Sequence, residues 1–320
     1  MKKFFIIFIG LILVILTSSY FFFKSNLKAV TEEGTNKIFV IESGQGLSVI
    51  SQNLKDKNLI RNNYVFMLYS YFNGFNKKIQ AGTYRLNSSL SIPQIIEKFT
   101  SGGVTDYWLR IPEGSRIEEI ALLLPESEYF TQQDFLKLVK NKEGYLFPDS
   151  YLFPEYYNLD QILEVINNNF ESKISQAKKD SDSQLSDRSN LILASILERE
   201  GRSLKSKQMI AGILLNRLNI NMALQVDASV QYAKDSQTKN IEEYWQPITG
   251  NDLKISSPYN TYQNPGLPPY PICNPSYNSL YAAYHPIDSD YIYYITGTDG
   301  NMYYAESLDE HNSNIAKYLN

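Results

Sequence analysis

A chain of 320 residues is long enough for two or three compact units. Its formal net charge of −4, from 30 Lys and Arg against 34 Asp and Glu, gives a nucleic-acid partner no electrostatic support. The one cysteine, Cys273, allows no internal disulfide, and the sequence holds no HExxH, Cys/His cluster, EF-hand loop, P-loop or dinucleotide glycine fingerprint, so no metal and no cofactor is expected.

Residues 4–23 form a continuous apolar run, interrupted only by Gly, Thr, Ser and Tyr, with Lys2 and Lys3 before it and Lys24 and Lys28 after it. Its length fits one membrane-spanning helix, and no A-x-A cleavage site follows. The reading is an uncleaved anchor within residues 1–25, with a removed signal as the alternative. The flanking lysines are balanced, but a short tail ahead of a large remainder favours a cytoplasmic N-terminus and an extracytoplasmic bulk.

Residues 26–36 are polar and read as a linker, and 37–103 as a small module. Within it, 38–41 alternate as a strand, 47–55 and 63–72 are helical, and 81–86 are a second strand. Residues 91–99 form a capped helix with Pro93 in its first turn, where a missing N–H does no harm. This β-α-α-β order loosely resembles a LysM-type carbohydrate-binding module; a spacer without sugar contact is the alternative.

Residues 104–187 read as an intermediate, groove-forming region: a strand over 106–111, helices over 116–124, 132–139 and 159–177, and an aromatic, turn-rich stretch over 143–154. The polar run 178–187 is a loop. Residues 188–320 read as the catalytic core, a mixed α/β domain. The expected class is thus α+β, with an N-terminal membrane helix, the small module and a helical hairpin near residue 201.

That hairpin carries the chemistry. On a helix through 190–201, Leu193, Ile196, Leu197 and Glu200 share one face, so Glu200 stands where another Leu would be expected. A carboxyl on an apolar stripe is costly to ionise; a raised pKa makes it a proton donor near neutral pH. Glu198 lies roughly 160° around the helix and suits a supporting hydrogen bond. Ser203 is an N-cap for a second helix over 205–218, where Gly212 permits close approach of a neighbour. Residues 228–233 are helical. Residues 256–275 contain six prolines and form a stiff loop, on which Tyr259, Asn260 and Tyr262 have a sugar-friendly composition; a rigid structural cover is the alternative. A helix over 276–284, a hairpin around Asp299-Gly300 and a closing helix over 308–319 complete the chain.

Several separated motifs together resemble the YceG-like endolytic murein transglycosylases. They are ASILERE (194–200), NRL (216–218), MALQVDAS (222–229), SPYNTY (257–262), GLPPYPI (266–272), AAYHP (282–286) and EHN (310–312), with AGTYR (81–85) and FPDSY (147–151) upstream. The resemblance implies cleavage of the MurNAc-β-1,4-GlcNAc bond inside nascent peptidoglycan strands, without water, leaving 1,6-anhydroMurNAc ends. It maps the catalytic glutamate onto Glu200 and leaves Glu198, Asp227, Tyr259, Asn260 and Tyr262 as supporting or substrate-binding candidates. It also implies glycan strands as substrate and peptidoglycan synthases as partners at the membrane. Departures are Tyr270 and Ala228-Ser229, which adjust loop shape, and Met302, which replaces a family His. The competing readings are a hydrolytic muramidase using Asp227 as base and a non-catalytic wall-binding scaffold.

Overall fold

The computed structural model describes residues 2–319 apart from 104, 105, 126, 128, 182 and 239. The chain divides into two compact units, residues 1–106 with 154–156, and residues 107–153 with 157–320. The boundary expected after residue 103 falls against 104 and 105, which lie outside the described residues.

In the first unit, α1 (Lys2–Leu27) is followed by β1 (Asn36–Ile41), α2 (Leu47–Asp56), α3 (Asn63–Phe72), β2 (Gly82–Asn87) and α4 (Ile92–Ser101). β1 and β2 pair antiparallel, from Asn36 opposite Asn87 to Ile41 opposite Gly82. Strand alternation puts Phe39, Ile41, Tyr84 and Leu86 on one buried face, where Leu54, Phe66, Ile95 and Phe99 of the helices close over them. Local chemistry sets the helix starts. The Asn62 side chain accepts from the Tyr64 and Val65 N–H groups, and Ser91 with Gln94 forms a capping box.

Residues Ile7–Leu27 are long and apolar enough to cross a membrane. The helix does not end on a loose tether. Phe23 and Leu27 pack against the core of the unit, the N–H groups of Val30 and Thr31 donate to the Ser88 carbonyl (3.0 and 3.2 Å), and the Arg61 guanidinium donates to the Ala29 carbonyl (2.7 Å). The stretch read as a linker is held against the module.

The second unit runs β3 (Asp106–Arg110), α5 (Ile117–Leu123), α6 (Gln132–Leu138), β4 (Ser150–Pro154), α7 (Leu159–Ala177), α8 (Asp187–Glu200), α9 (Leu204–Asn219), α10 (Asp227–Asp235), α11 (Tyr277–Tyr284), β5 (Tyr293–Thr296), β6 (Met302–Ala305) and α12 (Leu308–Tyr318). β3 pairs with β4 and β5 with β6. The expected mixed α/β core is built from helices: α8, α9 and α11 pack together, and the strands form two-stranded sheets beside them. α7 explains why the intermediate region and the core are one body. Ile162 and Ile166 enter the cluster around Leu109, Phe135 and Phe153, while Phe170, Ile174 and Ala177 enter the cluster around α8 and α9.

The proline-rich loop is pinned to α8 and to the 115–146 region at once. Ser195 Oγ accepts from the Ile272 N–H (3.0 Å). The Asn274 amide donates to the Ser115 carbonyl (2.9 Å) and to Glu143 (3.0 Å), and its oxygen accepts from the Leu146 N–H (2.8 Å).

Candidate active site

α8 begins at the Ser186 N-cap and ends at Gly201, the turn into α9. Leu193, Ile196 and Leu197 are completely buried, and the next position on their stripe is Glu200. The residue is half-buried at the rim of the core. Desolvation pushes its carboxyl up to about 7, against a hydrogen bond from Tyr294 that favours the carboxylate; the Asp227 charge pushes upward as well, and Arg217 and Arg199 pull downward.

α9 delivers the opposite wall. Residues 287–292 run along this helix: the Ile287 N–H donates to the Gln208 carbonyl (3.0 Å), and the Asn216 amide donates to the carbonyls of Ser289 (2.6 Å) and Tyr291 (3.0 Å). Arg217 donates to the carbonyls of Ile292 (2.7 Å) and Leu224 (2.6 Å), tying the approach to β5 to the approach to α10. A Cβ on Gly212 would lie 2.0 Å from the Ile287 carbonyl oxygen, so only glycine lets this strand of chain lie so close to α9. Held this way, Tyr294 on β5 donates its phenol hydrogen to Glu200 Oε2 at 3.0 Å. Burial first, then the Glu200 charge, keep that phenol protonated.

Glu200 and Thr296 border two cavities. One, of about 470 Å³, is also lined by Arg217, Asp227, Tyr262, Tyr293, Tyr294 and His311. The other, of about 810 Å³, is lined by Arg199, Arg202, Lys205, Asn301, Met302 and Tyr304 among others. A carboxyl able to give and take a proton near neutral pH thus stands where two open recesses meet. Asp227, in the first turn of α10, is exposed, and its Oδ1 accepts from the Tyr262 hydroxyl. His311 of α12 stacks on Tyr293, centroids 5.0 Å apart; burial, then Arg217, hold its imidazole below the ordinary value.

Of the other sequence-selected residues, Glu198 also borders the larger cavity, while Tyr259 and Asn260 line neither of the two. Glu198 turns its carboxylate to the start of α11, accepting from the Ser276 N–H (2.8 Å), the Ser276 hydroxyl (2.6 Å) and the Ser279 hydroxyl (2.6 Å), and pairing with Lys207 (3.1 Å). Burial would raise it, but these donors outweigh burial and hold it below the usual carboxylate range. Asn260 is buried, and both its amide hydrogens go to carbonyls just ahead of the loop, at Leu253 (3.0 Å) and Ile255 (2.9 Å). Its oxygen accepts from the Tyr262 N–H (3.1 Å), so it shapes the turn that presents Tyr262. Tyr259 packs on Tyr232, centroids 4.7 Å apart, and Tyr232 in turn lies under the Arg116 guanidinium. The structure therefore brings Glu200, Asp227 and Tyr262 to the smaller cavity, sets Glu198 at the border of the larger one with its carboxylate bound at the start of α11, and leaves Tyr259 and Asn260 in the supports. Tyr294, Arg217, Tyr293 and His311 line the smaller cavity; Arg217 and His311 stand within the NRL and EHN motifs but were not singled out, and Tyr293 and Tyr294 carry no motif. The hairpin signal at Asp299-Gly300 puts Tyr294 near a strand but does not aim it at Glu200. Among the described residues no group of His, Cys, Asp and Glu could hold a metal ion.

The family model for the YceG-like family matches residues 39–317, the first unit beyond α1 and nearly all of the second. The chain belongs to the YceG-like family. A protein of Bacillus subtilis (strain 168) named endolytic murein transglycosylase is 31% identical, over 96% of this chain and 91% of its own length. A protein of the same name from Streptococcus pneumoniae serotype 2 (strain D39) is 26% identical over 100% of this chain, which spans 66% of that longer relative. The crystal structure at 2.6 Å of a YceG-like protein from Listeria monocytogenes matches with a TM-score of 0.56 and 31% identity, covering 88% of this chain and 99% of that one. Members of the YceG-like family thus share both units with this chain.

Proposed function

We propose that this chain is an endolytic murein transglycosylase, with peptidoglycan glycan strands as substrate and Glu200 as acid and then base. The carrying observation is the position of Glu200: a desolvated carboxyl, raised to about 7, at the junction of two open cavities. Two open cavities bordered by the reacting group suit the interior of a polymer, and the relatives' name describes the same activity.

With its pKa raised to about 7, Glu200 can hold a proton near neutral pH. Glu200 gives this proton to the glycosidic oxygen as the C1–O bond breaks. The resulting carboxylate removes the proton of the MurNAc C6 hydroxyl while O6 closes onto C1, and Glu200 is left protonated again. No water enters, and the new end is 1,6-anhydroMurNAc. This explains the use of one carboxyl where hydrolytic glycosidases use two. Positive charge develops at C1 in the transition state, and the exposed Asp227 carboxylate, held by Tyr262, supplies the opposite charge in the same cavity.

The hydrolytic reading has one observation behind it, that same second carboxylate beside Glu200. Mass spectrometry of purified glycan strands after digestion decides: anhydro ends from the wild type and none from Glu200→Gln support the lyase, reducing ends the muramidase. A non-catalytic scaffold would leave strands of unchanged length.

α1 is read as an anchor with a cytoplasmic N-terminus, placing both units outside the membrane against the wall. The β1-α2-α3-β2 unit is read as a LysM-like glycan-binding module, and the synthases that extend strands at the membrane as partners, since cutting nascent strands ends their elongation.

A further inference from the structure

We propose that the outer face of α3 is a bilayer-contacting surface that seats the first unit on the lipid headgroups around α1, an inference that rests on reading α1 as an anchor. α3 contains no charged residue along its length. Val65, Phe66 and Ser70 face the core, yet Tyr64, Leu68, Tyr71 and Phe72 stand outside at i, i+4, i+7 and i+8, with Phe72 81% exposed. A helix that carries no charge and exposes large aromatic and aliphatic side chains opposite its buried face is not the design of a water-facing surface helix, which carries charge there. Immediately beyond it the chain turns at Gly74, in the left-handed region, and continues through Phe75 to the exposed Lys77 and Lys78. Aromatic rings followed by lysines match the headgroup layer, where amphipathic rings and anionic lipid both find partners.

Continuity with the span decides the occupant. α1 packs against α3, and Phe23 and Leu27 of α1 enter the same core as Tyr69 and Phe75. Arg61, just before α3, donates to the Ala29 carbonyl, two residues past the end of α1. The apolar stretch Ile7–Leu27 therefore runs directly into the unit. About 20 residues of helix fill the hydrocarbon thickness, which brings the bilayer surface to the level of Phe23 and Leu27 and of the helix packed on them.

The test uses the full chain in nanodiscs of phosphatidylglycerol and phosphatidylethanolamine, one chain per disc. An environment-sensitive fluorophore is attached through Phe72→Cys, Val49→Cys on the exposed side of α2, or Ile12→Cys within α1; Cys273 is buried and is checked for labelling in the unsubstituted chain. The expected result is a blue-shifted probe at 72 quenched by headgroup-level nitroxide lipid, a probe at 49 resembling water, and a probe at 12 quenched by acyl-chain nitroxide. A probe at 72 behaving like that at 49, with 12 still quenched, overturns the surface and leaves the anchor standing. An unquenched probe at 12 overturns the anchor reading itself. A blue-shifted probe at 72 that no lipid nitroxide quenches assigns the face to protein contact and also overturns the proposal.

Discussion

Tyr294 Oη donates to Glu200 Oε2 across 3.0 Å, joining the second residue of β5 to the last residue of α8. This bond stabilises the carboxylate against the desolvation that favours the acid. Tyr294→Phe removes it, so the Glu200 pKa moves up from about 7, by on the order of one unit given what a hydrogen bond to a charged group contributes. In the proposed mechanism the acid form starts the reaction, so activity is expected to fall as pH rises through this pKa. The alkaline limb of the pH–rate profile of strand cleavage therefore shifts upward in the variant. A limb that stays in place or moves down contradicts the role given to Tyr294.

The same carboxyl links stability to pH. Its folded pKa lies above the ordinary 4.5, so its contribution is fully present below pH 4.5 and is lost as pH rises through about 7. Glu200→Gln lacks this loss. Allowing for partial solvent access, the variant is more stable than the wild type at pH 8 by about 1–3 kcal/mol, and by much less at pH 5. Thermal melts at the two pH values measure the difference.

Glu198 behaves in the opposite sense. It is buried with Lys207, accepts three hydrogen bonds at the start of α11, and has a lowered pKa, so its contribution is present at neutral pH and lost on acidification. Glu198→Ala leaves Lys207 without its counter-charge and destabilises by about 3–5 kcal/mol in chemical denaturation. Two glutamates two positions apart thus give stability changes of opposite sign.

Asp227 and Tyr262 act as a pair, since the Tyr262 hydroxyl donates to Asp227 in the cavity shared with Glu200. Asp227→Asn and Tyr262→Phe each slow cleavage about tenfold, an expectation from one charge-assisted hydrogen bond. The double variant is no slower than the worse single one, because each change disables the same arrangement. Additive losses in kcat would show that the two residues contribute separately.

Much of this was legible because it is local. The 3.6-residue period alone puts Glu200 in line with Leu193, Ile196 and Leu197, and capping residues such as Ser203 mark where helices begin. Tyr294 was not legible: its meeting with Glu200 depends on chain 287–292 lying along α9, which Gly212, Asn216 and Arg217 arrange through long-range contacts. β4 was hidden for the same reason, its pairing with β3 lying outside an aromatic, turn-rich sequence. Asn260 shows the limit of composition. An amide on a stiff loop suits a sugar, but the nearest acceptors are the carbonyls of Leu253 and Ile255 just ahead of the loop, and they take both hydrogens.

The claim that Glu200 alone serves as acid and base, with the substrate's O6 in place of water, is tested most directly by digesting glycan strands in water enriched in oxygen-18. Mass spectrometry of the newly formed ends reads the outcome. The account predicts ends that carry no heavy oxygen, formed by the wild type and absent with Glu200→Gln. Heavy oxygen in the new MurNAc ends, or unlabelled ends still released by Glu200→Gln, would contradict it.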